Sequence, residues 1–300
     1  MSNTTATFPD VIVDTDWLER HIDEPGVRVF DCTTHLIHQS DPGVGAPYLV
    51  QSGRSDYELG HIPGAAFIDL QQDLSDTSSP YRFSCLPAAE LGRQFSRLGI
   101  GDNISPVLYS QTSPQWATRI WWLLHSIGFD RARVLNGGLT RWKLDGRSLS
   151  VQQTVHSETP LTVNPRPDAL VDKNTVLSAI DQHKTCTINA LRRSQHAGTD
   201  EGEFGHYGRP GRIPGSVNLP TVELVDPTTM EFLAAEEIRA RLDALGASDA
   251  SRVITYCGGG IAASATAMLL VLLGHKNVGL YDASLSEWAI DATLPMQTDG

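Results

Sequence analysis

The sequence predicts an α/β protein made of two similar domains in tandem, each a mainly parallel sheet flanked by helices. Three observations carry this. First, segments of the chain echo one another. Gly60-His61-Ile62-Pro63-Gly64-Ala65 returns as Gly211-Arg212-Ile213-Pro214-Gly215-Ser216, and 134–142, ending in Trp142, returns as 279–288, ending in Trp288. The offsets, 151 residues from His61 to Arg212 and 146 from Trp142 to Trp288, far exceed a solenoid repeat and indicate two domains rather than an array. Second, short apolar runs alternate with segments of helical spacing in both copies, the pattern of parallel strands joined by crossover helices. Third, 252–273 reads as a buried strand, a tight glycine turn and a buried helix.

Each copy then resolves into the same elements. A helix comes first, over 14–22 with Asp14 or Thr15 as its cap, and over 172–181 in the second copy. Short apolar strands follow at 27–32 and 186–190. Beyond the Ile-Pro-Gly turns come strands at 66–69 and 217–219, then helices at 88–98 and 235–245, where Glu, Arg and Leu recur at helical spacing. In the second copy Val253, Ile254, Thr255 and Tyr256 form a β-branched and aromatic strand. Strands at 132–135 and 278–281 and a Trp-bearing helix close the copies. The glycine- and proline-bearing stretch 35–56 reads as a surface loop inserted in the first copy. Pro160, Pro165 and Pro167 with polar spacers make 151–168 an extended linker. The expected domains are 1–150 and 166–300, joined by 151–165.

Bulk properties exclude several functions. The net charge is −12, with 12 basic and 17 acidic groups in residues 1–150 and 11 and 18 in 151–300. Both halves being acidic argues against nucleic-acid or anionic-membrane partners. The four cysteines, Cys32, Cys85, Cys186 and Cys257, lie far apart without a CxxC pair, which fits free thiols in a reducing compartment. The N-terminal ten residues are polar and lack an apolar signal core. The apolar stretch 261–273 is too short to span a membrane. The expectation is a cytoplasmic chain. His35 and His38 lack the acidic or thiol partner that would complete a metal site, so neither metal nor cofactor is expected.

Chemistry concentrates at Cys257, which is followed at once by Gly258, Gly259 and Gly260. Consecutive glycines let backbone N–H groups converge on one spot, and the helix that follows adds the positive end of its dipole there. A thiolate is what such a cradle stabilises. A buried thiol that only packs would not require three glycines after it. Aligning Gly128 with Gly274 puts Gln111 opposite Cys257, with Ser110 beside it and no histidine nearby. The first copy is therefore expected to be a scaffold without a nucleophile. Its surface around 110–122 would wall the second copy's site, and Trp116, Trp121 and Trp122 would be core or interface aromatics. Cys32 and Cys186 fall inside apolar strands and read as inert, Cys85 as exposed and oxidisable, and His61 as a structural hydrogen-bonder.

Three features together resemble the tandem-domain rhodanese family of thiosulfate and 3-mercaptopyruvate sulfurtransferases: the Gly-His-Ile-Pro-Gly-Ala turn, the strand–Cys–Gly-rich loop–helix at 256–263, and the closing Tyr281-Asp282-x-Ser284-x-x-Glu287-Trp288. The resemblance implies two rhodanese-like domains, only the second with a catalytic Cys. It implies a sulfurtransferase in which Cys257 takes a sulfane sulfur as a persulfide and passes it to a thiol or cyanide. The substrate-binding set would be the loop residues Gly258, Gly259, Gly260, Ile261 and Ala262, holding the anionic sulfur much as an oxyanion hole holds oxygen, with Arg209 and Arg192. Partners would be small-molecule sulfur donors and acceptors, and the chain a monomer or weak homodimer.

The sequence also departs from the family pattern. Thiosulfate-type loops carry basic residues after the Cys, and this loop has none. Mercaptopyruvate-type loops have Ser and Thr where Gly259 and Ala262 stand, and a first-domain His that is missing from 77–87. Asn189-Ala190-Leu191 replaces the family's Asp-x-Arg, leaving Arg192 and Arg193 as neighbours able to substitute. Arg212 replaces the His of the second Ile-Pro-Gly turn. Together with Arg209 it reads either as a clamp on the donor's sulfonate or carboxylate or as solvent-facing charge. Phosphatases of a related fold need an Arg six residues after the Cys, where this chain has Ala263. The remaining alternative is a non-turnover relay or binding module that carries persulfide for a partner protein.

Overall fold

Two five-stranded sheets, every pairing in them parallel, organise the chain in the computed structural model, which describes residues 8, 10–38, 47–202 and 206–299. The strands are β1 (Ile12–Val13), β2 (Val27–Asp31), β3 (Thr34–His38), β4 (Tyr48–Ser52), β5 (Ala66–Phe67), β6 (Ser105–Tyr109), β7 (Arg133–Leu135), β8 (Leu170–Val171), β9 (Thr185–Asn189), β10 (Val217–Asn218), β11 (Arg252–Tyr256) and β12 (Val278–Tyr281). The first sheet has the order β1-β7-β6-β2-β5 and the second β8-β12-β11-β9-β10. These are the same order with equivalent strands. The central strands β6 and β11 are almost wholly buried, as expected of sheets covered on both faces.

The sequence echoes have local causes. Asp14 and Asp172 cap equivalent helices, Thr15–His21 and Lys173–Ala179, by accepting from the N–H groups of Trp17 at 2.6 Å and Thr175 at 2.8 Å. Each Ile-Pro-Gly turn is stapled to its central strand by a tyrosine. Ile62 N–H donates to the Tyr109 hydroxyl at 3.2 Å, and Ile213 N–H to the Tyr256 hydroxyl at 3.1 Å. The turn glycines, Gly64 and Gly215, sit at φ of 74° and 73°, a left-handed geometry that favours glycine.

Two expectations are revised. The stretch 35–56 is not a plain loop: β3 and β4 pair antiparallel from Thr34↔Ser52 to His38↔Tyr48, and a short helix, Arg54–Leu59, follows. Alternation explains the hairpin, since Tyr48 and Val50 turn inward while Leu49 and Gln51 face solvent. Positions 39–46 lie outside the described residues. The stretch 151–165, read as an extended linker, holds no helix and is fastened to the first domain. Arg28 donates to the Ser157 carbonyl at 3.0 Å, Ser96 to the Thr159 carbonyl at 2.8 Å, and Thr162 N–H to Asp102 at 2.8 Å.

One hydrophobic core crosses the boundary between the sheets. At its centre the helix Ala262–Leu272 lies against Gln115–Ser126 of the first domain. Ala262–Leu272 is apolar on nearly every side because its own sheet and the other domain's helix both cover it. Trp116, Trp121 and Trp122 are all buried there. Among the described residues no helix is long and apolar enough to cross a membrane.

Candidate active site

Strand β11 ends at Tyr256, and Cys257 follows at the C-terminal edge of the sheet, where open α/β sheets bind ligands. The thiol residue is 2% exposed. Beyond it the chain turns through 258–260 into Ile261, which caps the helix Ala262–Leu272. Gly260 has a φ of +73°, so the turn needs glycine there. Among the described residues, no N–H from Gly258 to Ala263 donates to a protein acceptor. That leaves a ring of free donors at the start of a helix, the arrangement that binds anions.

A second turn braces the loop from behind. Cys257 N–H donates to the Ser284 hydroxyl at 3.1 Å, Leu285 N–H to the Cys257 carbonyl at 3.1 Å, and Ser286 N–H and hydroxyl to the Gly258 carbonyl at 2.8 and 2.7 Å. Ser284 adopts a φ of 51°, a left-handed conformation uncommon outside glycine and held here by these bonds.

Two tyrosines pack against the cysteine loop. A Cβ on Gly258 would lie 1.9 Å from Tyr207 Cζ, so the ring rests where only a glycine leaves room. A Cβ on Gly259 would come within 3.3 Å of the Tyr48 hydroxyl. The two rings meet edge-on at 6.2 Å. Burial pushes both phenols well above their ordinary range, and the charge of a Cys257 thiolate pushes in the same direction. Both therefore stay neutral hydrogen-bond donors. Tyr48 comes from the first-domain hairpin, so the site is shared between domains.

The first domain supplies further residues. Cys85 N–H donates to Asp282 at 2.8 Å, the Arg82 carbonyl lies 3.9 Å from a Cβ position on Gly259, and the Arg119 guanidinium reaches Asp282 and the Phe83 carbonyl. The expected wall at 110–122 is thus present through Arg119, but 82–85 and Tyr48 stand closer to the loop. Ser110–Pro114 instead faces Met230 of the second domain. Sequence reasoning missed Tyr48, Tyr207 and Arg82. The signal available for Tyr207 was the bare Gly258, which implies a close neighbour without naming it.

The arginines divide. Arg192 is half-exposed, pairs with Asp200 at 3.1 Å, and places its charge near Tyr207. Arg209 does not face the site. Its guanidinium donates to the carbonyls of Trp288, Ala289, Asp291 and Leu294 at 2.6–3.2 Å. Four carbonyls consume its donors, and it ties down the C-terminal segment instead of clamping a donor. Arg212 likewise donates to the His196 carbonyl and pairs with Asp299. Cys85 is not the exposed thiol expected: burial, then the charge of Asp282, push it up to about 12. Burial also raises Cys32 strongly and Cys186 to about 11. His61 is buried, with its ring nitrogens facing the carbonyls of Tyr57 and Gln152.

Comparison with known proteins agrees with this geometry. The Rhodanese-like domain family matches residues 14–145 and 165–291. A 3-mercaptopyruvate sulfurtransferase of Escherichia coli is 31% identical over 95% of this chain and 97% of its own. The sulfur carrier protein TtuD of Thermus thermophilus is 29% identical over 96% of each. The crystal structure of SseA from Escherichia coli, described as a 3-mercaptopyruvate sulfotransferase, superposes with a TM-score of 0.72 at 29% identity, covering 92% of this chain and 99% of that one. Two matched domains, a repeated sheet order and a single cysteine cradle together place the chain in the rhodanese family, as a tandem-domain sulfurtransferase.

Proposed function

We propose that sulfur passes through Cys257. Its thiolate attacks the outer sulfur of a donor R–S–SH. A Cys–S bond forms, the donor's S–S bond breaks, and the bonding pair leaves on R–S⁻. The proton stays on the transferred sulfur and is then lost to solvent. The resulting Cys–S–S⁻ lies against the N–H groups of Gly258, Gly259, Gly260, Ile261 and Ala262, which stabilise the charge although the loop itself carries no cation. An acceptor thiolate or cyanide then attacks the outer sulfur and Cys257 leaves as thiolate. No net oxidation occurs in either step.

The observation that carries this reading is the ring of undonated N–H groups around one buried cysteine at a helix start. Arg192 is the cation at the mouth suited to the donor's anionic end. The neutral phenols of Tyr48 and Tyr207 and the cation-free loop favour a singly charged organic persulfide over the thiosulfate dianion. The missing loop Ser and first-domain His disfavour efficient 3-mercaptopyruvate cleavage. Steady-state kinetics with the three donors tests this. The kcat/KM for thiosulfate is expected below about 10⁴ M⁻¹s⁻¹, the lower end of ordinary enzymes. A value in the upper part of that range refutes the donor assignment. The alternative, a relay loaded once for a partner protein, is favoured only by the likeness to a sulfur carrier. Repeated turnover with a small thiol excludes it. The reading takes the chain to work in the cytoplasm, a reducing compartment that its free thiols fit.

A further inference from the structure

Contacts between the two domains repeat reciprocally, and one charge breaks the repeat. Residues 146 positions apart correspond: Asn136 with Asp282, Thr118 with Ser264, and Arg119 with Ala265. Each domain sends a short bridged segment over the other's loop, closed by Ser75↔Cys85 in the first and Val225↔Phe232 in the second. Each segment turns through a left-handed residue, Phe83 at φ 63° and Met230 at φ 60°. Each is held by the same bond, Cys85 N–H to Asp282 and Phe232 N–H to Asn136, both 2.8 Å. In the half whose loop lacks a thiol the pair is a neutral Asn and an Ala. In the half that holds Cys257 it is Asp282 and Arg119.

Arg119 is fully buried. Its Nη2 donates to Asp282 at 2.5 Å and to the Phe83 carbonyl at 2.8 Å, while Nε and Nη1 have no partner among the described residues. Buried guanidinium N–H groups left without acceptors are uncommon in folded proteins. Nη1 stands 3.1 Å from the point a Cβ on Gly260 would occupy, and the Asp282 carbonyl 2.5 Å from it. The cation that the cysteine loop lacks in sequence therefore lies beside it in space, delivered by the other domain. Asp282 also opens the turn whose Ser284, Leu285 and Ser286 hold Cys257 and Gly258.

We propose that Arg119 is a positioning residue for sulfur transfer, acting across the domain boundary. It fixes the 282–286 turn through Asp282, and that turn sets the cysteine loop. Its unsatisfied Nη1 beside Gly260 favours the loop when the loop carries an anion. This rests on Cys257 being the sulfur carrier. It gives the first domain, whose loop has no nucleophile, a part in the reaction: its helix presents a buried charge to its neighbour's loop.

The test uses the full chain with Arg119→Met, Arg119→Lys and Asp282→Asn, and Arg93→Met as an exposed control. Three quantities are read: kcat and KM for sulfur transfer from an organic persulfide to cyanide, and the rate of iodoacetamide alkylation at Cys257, located by peptide mass spectrometry. Arg119→Met is expected to lower kcat by about tenfold or more, an interaction of the size opposite charges make at a partly desolvated site. KM should change far less, and alkylation should slow. Arg119→Lys is expected to recover part of both, and Asp282→Asn to lower kcat with the charge retained. Wild-type kcat and alkylation in a folded Arg119→Met variant overturn the proposal. If that variant does not fold, wild-type values in both Arg119→Lys and Asp282→Asn overturn it. A chain in which Cys257→Ser still transfers sulfur fails the reading of Cys257 itself, a result separate from any of these.

Discussion

Thr118 and Ser264, equivalent residues of the two domains, hydrogen-bond to each other through their hydroxyls at 2.8 Å. This bond joins the buried faces of Gln115–Ser126 and Ala262–Leu272. Nearby, the Trp122 indole donates across to the Ala169 carbonyl at 3.0 Å. The contact joins the scaffold of one domain to the helix that begins at the other's cysteine loop.

Separating the domains therefore exposes an apolar helix face. A 166–300 fragment is expected to self-associate, since apolar surface left in water costs roughly 25 cal/mol per Å². It should also lose most donor selectivity, because Tyr48, Arg82 and Arg119 leave with the first domain. Size-exclusion chromatography with light scattering and donor kinetics check this. A monomeric, stable fragment as active as the full chain contradicts the shared site.

Arg209 is expected to matter for stability and not for the donor. Arg209→Met strips donors from four backbone carbonyls of 288–294. The expected loss is about 2–4 kcal/mol in urea unfolding, with kcat/KM within about twofold of wild type. A stable variant with a strongly raised KM would return Arg209 to the donor site.

Stability is expected to fall on mild acidification, through His196. Burial first, and the charge of Arg212 second, lower its pKa to about 4 from 6.5. The folded protein thus resists a proton that the unfolded chain accepts below about 6.5. The penalty appears as pH drops below 6.5 and is complete below 4. The side chain is part-exposed, so the effect is discounted to about 1–2 kcal/mol. Urea midpoints at pH 7.5 and 5 should differ, and His196→Gln should reduce that difference. An unchanged pH dependence in the variant contradicts the assignment.

Much of this was legible in the sequence because it is periodic or local. Asp14, Asp172 and the Ile-Pro-Gly turns announce themselves through caps and positive-φ glycines, and Cys257 through its glycines. The hairpin β3–β4 was hidden by the glycines and prolines between its strands. The functions of Arg209 and Arg119 were not legible because each depends on groups far along the chain. Arg209 meets carbonyls some 80 residues away, and Arg119 meets Asp282, 163 residues on. Tyr48 and Tyr207 converge on Cys257 from different domains, and no local pattern records such a meeting.

The central claim is that one thiol carries the sulfur. The direct measurement is intact-protein and peptide mass spectrometry after brief exposure to an organic persulfide, followed by addition of cyanide. A single added sulfur is expected on Cys257, absent from Cys32, Cys85 and Cys186, lost when cyanide arrives, and never formed in a folded Cys257→Ser variant. Sulfur found on another cysteine, or wild-type turnover by Cys257→Ser, would contradict it.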